Sequence, residues 1–224
     1  METLTRTRAV IFDFNGTLSD DEPVLARVFA EIFHAYLGWR MTSDDYFARL
    51  AGRSDREIVE IAVAERGGGL ADNGPLVERL LALRRERYLQ IVESESPIRP
   101  GTEALVRTLT AAGHPLAVVT GAQRSDVDFV LGHSGIGGHF EVVVTEEDVT
   151  LGKPDPEGFL LAARRLGVLP QETVVFEDSL AGVRAARAAG MRCIAVTGTH
   201  DALTLAGEGI PTVDVLNPAV VGLL

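Results

Sequence analysis

Arg8-Ala9-Val10-Ile11-Phe12-Asp13-Phe14-Asn15-Gly16-Thr17 begins as a short apolar run and stops abruptly at an acid followed by a turn-forming pair. An uninterrupted apolar stretch of this length, closed by Asn-Gly, reads as a buried strand running into a tight loop. After it the period changes. Val24, Leu25, Val28, Phe29, Ile32, Phe33, Tyr36 and Leu37 recur at helical spacing, and Pro23 suits a first helical turn. Helical patterns continue over 43–50, 54–66 and 75–95, the last with Val77, Leu80, Leu81, Tyr88, Ile91 and Val92 on one face. Gly67-Gly68-Gly69 and Asn73-Gly74 mark turns between them.

From Pro100 the rhythm becomes strict alternation. Helices are expected over 102–112, 124–131, 156–166 and 180–189, and from about 201. Strands are expected over 115–119, 141–144, 173–176 and 192–196, and near 212–215. Short apolar strands separated by helices imply right-handed crossovers and a parallel sheet covered on both faces. The first strand joins that sheet, which leaves the helical region as an insertion. The expected fold is α/β: a Rossmann-like three-layer core from residues 1–16 and 97–224, with an all-helical cap over 17–96.

Composition narrows the function. A formal net charge of −11 disfavours a nucleic-acid partner, since phosphate backbones call for a basic surface. No apolar stretch reaches the roughly 20 residues of a membrane span, and the first residues lack a secretory pattern. The single cysteine, Cys193, lies in an apolar run, where it packs rather than reacts, and fits a reducing compartment. The expectation is a cytoplasmic protein, monomeric or weakly dimeric. Of its 21 Lys and Arg residues, one is lysine, Lys153. That survival reads either as chance at a surface position or as a place where a compact, mobile ammonium does what a planar guanidinium cannot.

In an open parallel sheet, ligands bind beyond the carboxyl ends of the strands. There this chain offers Asp13-Phe14-Asn15-Gly16-Thr17, then Thr120-Gly121, then Lys153, then Glu177-Asp178-Ser179. Each piece alone has a plainer reading: Asn15-Gly16 as a tight turn with Asp13 as a loop acid, Thr120-Gly121 as a helix start, Asp178 or Ser179 as a helix cap. Taken together, at successive strand ends, they suit a phosphate clamped between a divalent cation and a lysine.

The set resembles the four motifs of the haloacid dehalogenase-like hydrolases, over nearly the whole chain. Phe12–Leu18, Leu151–Phe159 and Val174–Gly190 are closest to the phosphoglycolate phosphatase and β-phosphoglucomutase branch, and the helical insertion matches that branch's C1-type cap. The resemblance implies that Asp13 attacks phosphorus and becomes an aspartyl phosphate. It implies Mg2+ held by Asp13, the backbone carbonyl of Asn15 and Asp178, with Glu177 helping directly or through water. Gly16, Thr17, Thr120 and Gly121 would bind phosphate oxygens, and Lys153 would balance charge on Asp13 and the phosphoryl group. In the cap, Leu50-Ala51-Gly52-Arg53-Ser54-Asp55-Arg56 resembles the substrate-specificity loop, with Gly52 allowing close approach and Arg53 meeting the substrate; the plainer reading makes Arg53 and Arg56 solvated residues around a helix capped by Ser54.

The chain departs from the family at Asn15, where a second aspartate normally protonates the leaving group and then activates water. An amide does neither. General acid–base catalysis contributes roughly 10²–10⁴-fold, on the order of 3–5 kcal/mol of barrier. Three readings stay open: a natural restriction to leaving groups that need no proton, such as acyl phosphates; a changed residue that leaves a trap or a phosphate-binding protein; or deamidation of Asn15-Gly16 to aspartate. Asp20, Asp21 and Glu22, read as solvated acids at a helix start, offer a substitute acid. No lysine lies in 17–98 to form a phosphonatase Schiff base, Glu177-Asp178 speaks against metal-free dehalogenases, and Leu25 replaces the mutase histidine. The five histidines show no metal-ligand spacing, and Gly135-Ile136-Gly137-Gly138 is no dinucleotide fingerprint. The resemblance therefore implies a magnesium-dependent phosphatase for a small phosphorylated metabolite, either a monoester or an acyl phosphate. The alternative is a non-catalytic protein that binds one.

Overall fold

A computed structural model of the chain describes residues 7–66, 73–94, 96–200 and 202–224. Six strands form one sheet: β1 (Ala9–Phe12), β2 (Leu116–Val119), β3 (Phe140–Val144), β4 (Thr173–Glu177), β5 (Arg192–Val196) and β6 (Thr212–Val213). Their order is β3-β2-β1-β4-β5-β6 and every neighbouring pair is parallel. All residues of β1, β2 and β4 are buried, as expected of strands covered on both faces.

Alternation along the strands sorts their side chains into two layers. Val10, Phe12, Val118, Val174, Phe176 and Ile194 share one cluster with Leu105 and Leu109 of α5 (Thr102–Ala111) and Val127 and Val130 of α6 (Arg124–His133). Phe12 stacks on Phe176 with ring centroids 5.2 Å apart. Ile11, Ala117, Val119, Val175 and Cys193 face the other way, onto Phe159 and Ala162 of α7 (Glu157–Leu166) and Val183 and Ala186 of α8 (Leu180–Ala188). A short α9 (Ala202–Ala206) precedes β6. The three-layer α/β expectation therefore holds, and the buried Cys193 thiol packs as its apolar surroundings imply.

Four helices lie between β1 and α5 among the described residues. For these, α1 is Glu22–Leu37, α2 Ser43–Arg49, α3 Asp55–Arg66 and α4 Gly74–Val92. Pro23 occupies the first turn of α1, and Gly38 ends it at φ +64°. Thr42 and Asp45 close a reciprocal capping box on α2. Leu25, Phe29 and Phe33 of α1 bury against Val77, Leu80 and Tyr88 of α4, and this cluster is continuous with the α5 face of the sheet. Each fully buried apolar side chain contributes about 1.5–3 kcal/mol, so the helical region is fastened to the core, not tethered beside it.

The chain enters and leaves this region side by side. Ser19 bridges Asn15 in parallel and Ile98 antiparallel, while Asp20 N–H donates to Pro97 O at 2.7 Å. Two element limits differ from expectation. Strand β6 stops at Val213, and α4 ends at Val92, the expected end at Glu95 lying outside the described residues. The Gly67-Gly68-Gly69 turn and the helix start at Asp201 also lie outside them. No helix among the described residues is long and apolar enough to cross a membrane.

Candidate active site

Strand order reverses at β1, which has β2 on one side and β4 on the other, so a crevice opens beyond its carboxyl end. Asp13 is the first residue past that end, anchored by its N–H to Phe176 O at 2.9 Å. Glu177 closes β4 and Asp178 follows. Lys153 reaches in from the loop before α7, its Nζ donating to Asp13 Oδ1 and to Glu177 Oε1, both at 2.5 Å. A flexible ammonium with three donors can bridge two carboxylates this way, which accounts for a lysine at this position.

Each acid has its own support. The second Glu177 oxygen accepts from Ser179 N–H at 2.8 Å and Ser179 Oγ at 3.0 Å. Asp178 Oδ1 accepts from Thr17 Oγ at 3.2 Å, and Oδ2 accepts from Thr199 N–H at 2.8 Å. Gly16 sits at φ +80°, and a Cβ there would fall 1.9 Å from Asp178 Oδ2, so both backbone shape and space exclude a side chain. One oxygen each from Asp13, Glu177 and Asp178 lie within 4.8 Å of one another. Burial, and then Glu177, push Asp178 up to about 6. Burial also raises Asp13 well above the usual range, against the pull of Lys153, while Lys153 is held above its own ordinary value by Asp13 and Glu177 despite burial. Three crowded hard oxygens with one lysine carry an excess of negative charge. A divalent cation of the magnesium kind fits that donor set, and the absence of nitrogen or sulfur ligands disfavours softer metals.

Asn15 is tied from two sides. Its Nδ2 donates to Asp21 Oδ2 at 3.0 Å, and its Oδ1 accepts from Thr120 Oγ at 3.4 Å. Asp21 is fully buried, also accepts from Tyr88 OH, and is raised by that burial. Gly16 N–H, the group that would attack the Asn15 side chain in deamidation, donates to Ser19 O at 2.7 Å. Cyclisation would have to break both the amide's and this nitrogen's hydrogen bonds, so the fold opposes that route.

A cavity of about 830 Å³ lies over these groups. Asp13, Asn15, Thr120, Gly121, Lys153 and Asp178 line it from the sheet side, and Glu22, Tyr46, Gly52 and Arg53 from the helical side. Gly52, at φ +80°, brings its backbone so close that a Cβ would lie 2.9 Å from Ser179 Cβ, the close approach expected of it. Arg53 lines the cavity with Nε donating to Arg49 O at 3.1 Å, and Ser54 forms a reciprocal box with Glu57 ahead of α3.

The structure places Thr17, Gly16 and the acids of the α1 start as follows, and the solvated reading of Asp21 and Glu22 needs revision. Thr17 is fully buried and spends its hydroxyl on Asp178, not on the cavity. Gly16 makes room for Asp178 and is likewise off the cavity wall. Asp21 and Glu22 are buried, not solvated. Reading the sequence missed Tyr46, which donates to Glu22 Oε2 at 2.8 Å, and the Arg84 cluster, in which the guanidinium meets Asp55 at 3.1 Å and also Asp126. The motifs carried no signal for either; the adjacent acids Asp21 and Glu22, so near Asn15, were the one hint.

Comparison with known proteins shows the family. The family model described as haloacid dehalogenase-like hydrolase matches residues 7–190. YhcW of Bacillus subtilis (strain 168) is 37% identical over 201 residues, covering 86% of each chain. Validoxylamine A 7'-phosphate phosphatase of Streptomyces hygroscopicus subsp. limoneus is 32% identical over 89% of this chain and 90% of its own. The crystal structure of CbbY from Rhodobacter sphaeroides in complex with phosphate is 31% identical, with a TM-score of 0.76 over 86% of this chain and 87% of that one.

Proposed function

The chain belongs to the haloacid dehalogenase-like hydrolases and is an enzyme of that family, and from this premise we propose that it is a magnesium-dependent phosphatase working through phospho-Asp13. The substrate is a small phosphate monoester or acyl phosphate. The observation that carries this reading is the Lys153 bridge between Asp13 and Glu177, with Asp178 beside it, at the crevice beyond β1 and β4.

Asp13 attacks phosphorus with one carboxylate oxygen and displaces the leaving group, forming the aspartyl phosphate that water then cleaves. Lys153, already bonded to Asp13, meets the charge of the transferring group as it arrives, and Glu177 keeps that ammonium in line. The Thr120 hydroxyl and the Gly121 backbone take phosphate oxygens. Asp13, Asp178 and the Asn15 carbonyl would hold Mg2+, with Glu177 helping directly or through water, and the ion would neutralise phosphoryl charge. Residues 17–96 act as a cap over a core made of 1–16 and 97–224, with Gly52 and Arg53 presenting the substrate-selecting surface. The buried single thiol supports a cytoplasmic location.

Phosphate release from a panel of phosphoesters including acetyl phosphate, with and without Mg2+, tests this. Turnover that needs Mg2+ and is lost in Asp13→Ala is the expected result; turnover that survives Asp13→Ala would end the phospho-Asp13 reading. The Asn15 amide favours a second reading, a phosphometabolite-binding protein. Silence from the native chain across the panel, alongside measurable phosphate-ester binding, would establish that one instead.

A further inference from the structure

We propose that Glu22 supplies the acid–base function Asn15 lacks. Its carboxyl protonates the leaving oxygen as Asp13 is phosphorylated, and its carboxylate then takes a proton from the water that hydrolyses phospho-Asp13. This rests on the phospho-Asp13 reading above.

Glu22 opens α1, is 6% exposed, and lines the same cavity as Asp13, Asn15 and Asp178. The Tyr46 hydroxyl fixes its Oε2 at 2.8 Å, and Tyr46 is itself buried. Burial holds it well above the usual range, which suits a carboxyl that gives a proton to a leaving oxygen.

The other acids nearby are placed for other work. Asp20 is 63% exposed and faces Arg99 at 3.5 Å. Asp21 lies behind Asn15, off the cavity wall. Asp55 holds Arg84. Glu146 lines the cavity beside α3, accepting from the Arg56 N–H, and burial, then Asp55 and Glu147, push it up to about 7.

Proton and electron accounts close. In the first step the Asp13 oxygen–phosphorus bond forms while the bond from phosphorus to the leaving oxygen breaks. The leaving oxygen takes that electron pair and the Glu22 proton. In the second step a water oxygen bonds to phosphorus, the electron pair of the broken bond returns to Asp13, and the water proton restores Glu22. The ester and one water become an alcohol and phosphate.

The test is Glu22→Gln, assayed on an alkyl phosphate that the native chain hydrolyses and on p-nitrophenyl or acetyl phosphate, whose leaving groups need no proton. Alkyl turnover is expected to fall by about 10²–10⁴-fold. The activated ester is expected to give a burst of one leaving group per site followed by slow turnover, because phospho-Asp13 then waits for a base. Equal losses on both substrates without a burst, or a raised KM at unchanged kcat, would make Glu22 a mere substrate contact and overturn the proposal. Should Glu22→Gln fail to fold, Glu22→Asp, which keeps a carboxyl but shortens the reach, reads the same ratio of losses by the same criterion. A native chain inactive on every ester would remove the phosphatase reading and this inference with it. That failure differs in kind, because the reference fails and not only the variant.

Discussion

At Asn15 an amide and a carboxylate share one hydrogen bond, with Asp21 Oδ2 3.0 Å from Asn15 Nδ2. Restoring the family's aspartate by Asn15→Asp alone would set two carboxyls at that separation. Two like charges about 4 Å apart repel by roughly 4 kcal/mol at an effective dielectric of 20, so the pair would retain a proton between them. Asn15→Asp is therefore expected to gain less activity than Asn15→Asp/Asp21→Asn, which keeps the pair but reverses it. Comparing kcat of the two variants decides the matter, and equal values would show that Asp21 does not govern residue 15. At this scale Asp13, Lys153 and Asp178 are legible because unlike functional groups gather at successive strand ends. Asp21 and Glu22 are misread because acids at a helix start are ordinarily solvated. What buries them are Tyr88 and Tyr46, 67 and 24 residues away, and no local pattern reports such partners.

Helix α4 does more than complete the helical layer. Arg84, fully buried in its middle, meets Asp55 of α3 and Asp126 of α6, and its guanidinium lies 4.6 Å from the centroid of the Tyr88 ring. The cluster thus joins two inserted helices to one that packs on the sheet. Removing one partner of a buried ion pair costs about 3–5 kcal/mol, because the charges left behind have no counter-ion. Arg84→Met is expected to lower the urea midpoint accordingly, and adding Asp55→Asn and Asp126→Asn to recover much of the loss. A single variant within 1 kcal/mol of native, on the order of ordinary surface changes, would contradict this. The helices themselves follow from apolar spacing and turn residues. Their docking does not, because an arginine in a helical pattern reads as a solvated face until its partners are located.

For the whole molecule the excess of buried acid sets a pH dependence. Asp178 moves from an ordinary 3.8 to about 6 and Glu146 from 4.5 to about 7, by burial first and neighbouring carboxylates next. A carboxyl raised in the fold binds its proton more tightly there than in the unfolded chain. The cost of ionising these two is therefore absent below about pH 4 and complete above about pH 7. The thermal midpoint of the metal-free protein is expected to fall between pH 5 and pH 7.5. Magnesium at 100 times its dissociation constant should return about 2.7 kcal/mol at pH 7.5, and Asp178→Asn should abolish that recovery. A midpoint that climbs over this range, or ignores Mg2+, would refute it. The parallel sheet and its switch point are legible from the alternation after Pro100, whereas the seating of the inserted helices depends on contacts across the chain. Ser19, bridged at once to Asn15 and Ile98, adds a mechanical consequence. One connecting strand would let the inserted helices swivel freely; two, laid side by side, leave a single easy axis, like a door on its pin. Because Asn15 belongs to that pin, any shift of the inserted helices against the sheet would be felt first at residue 15.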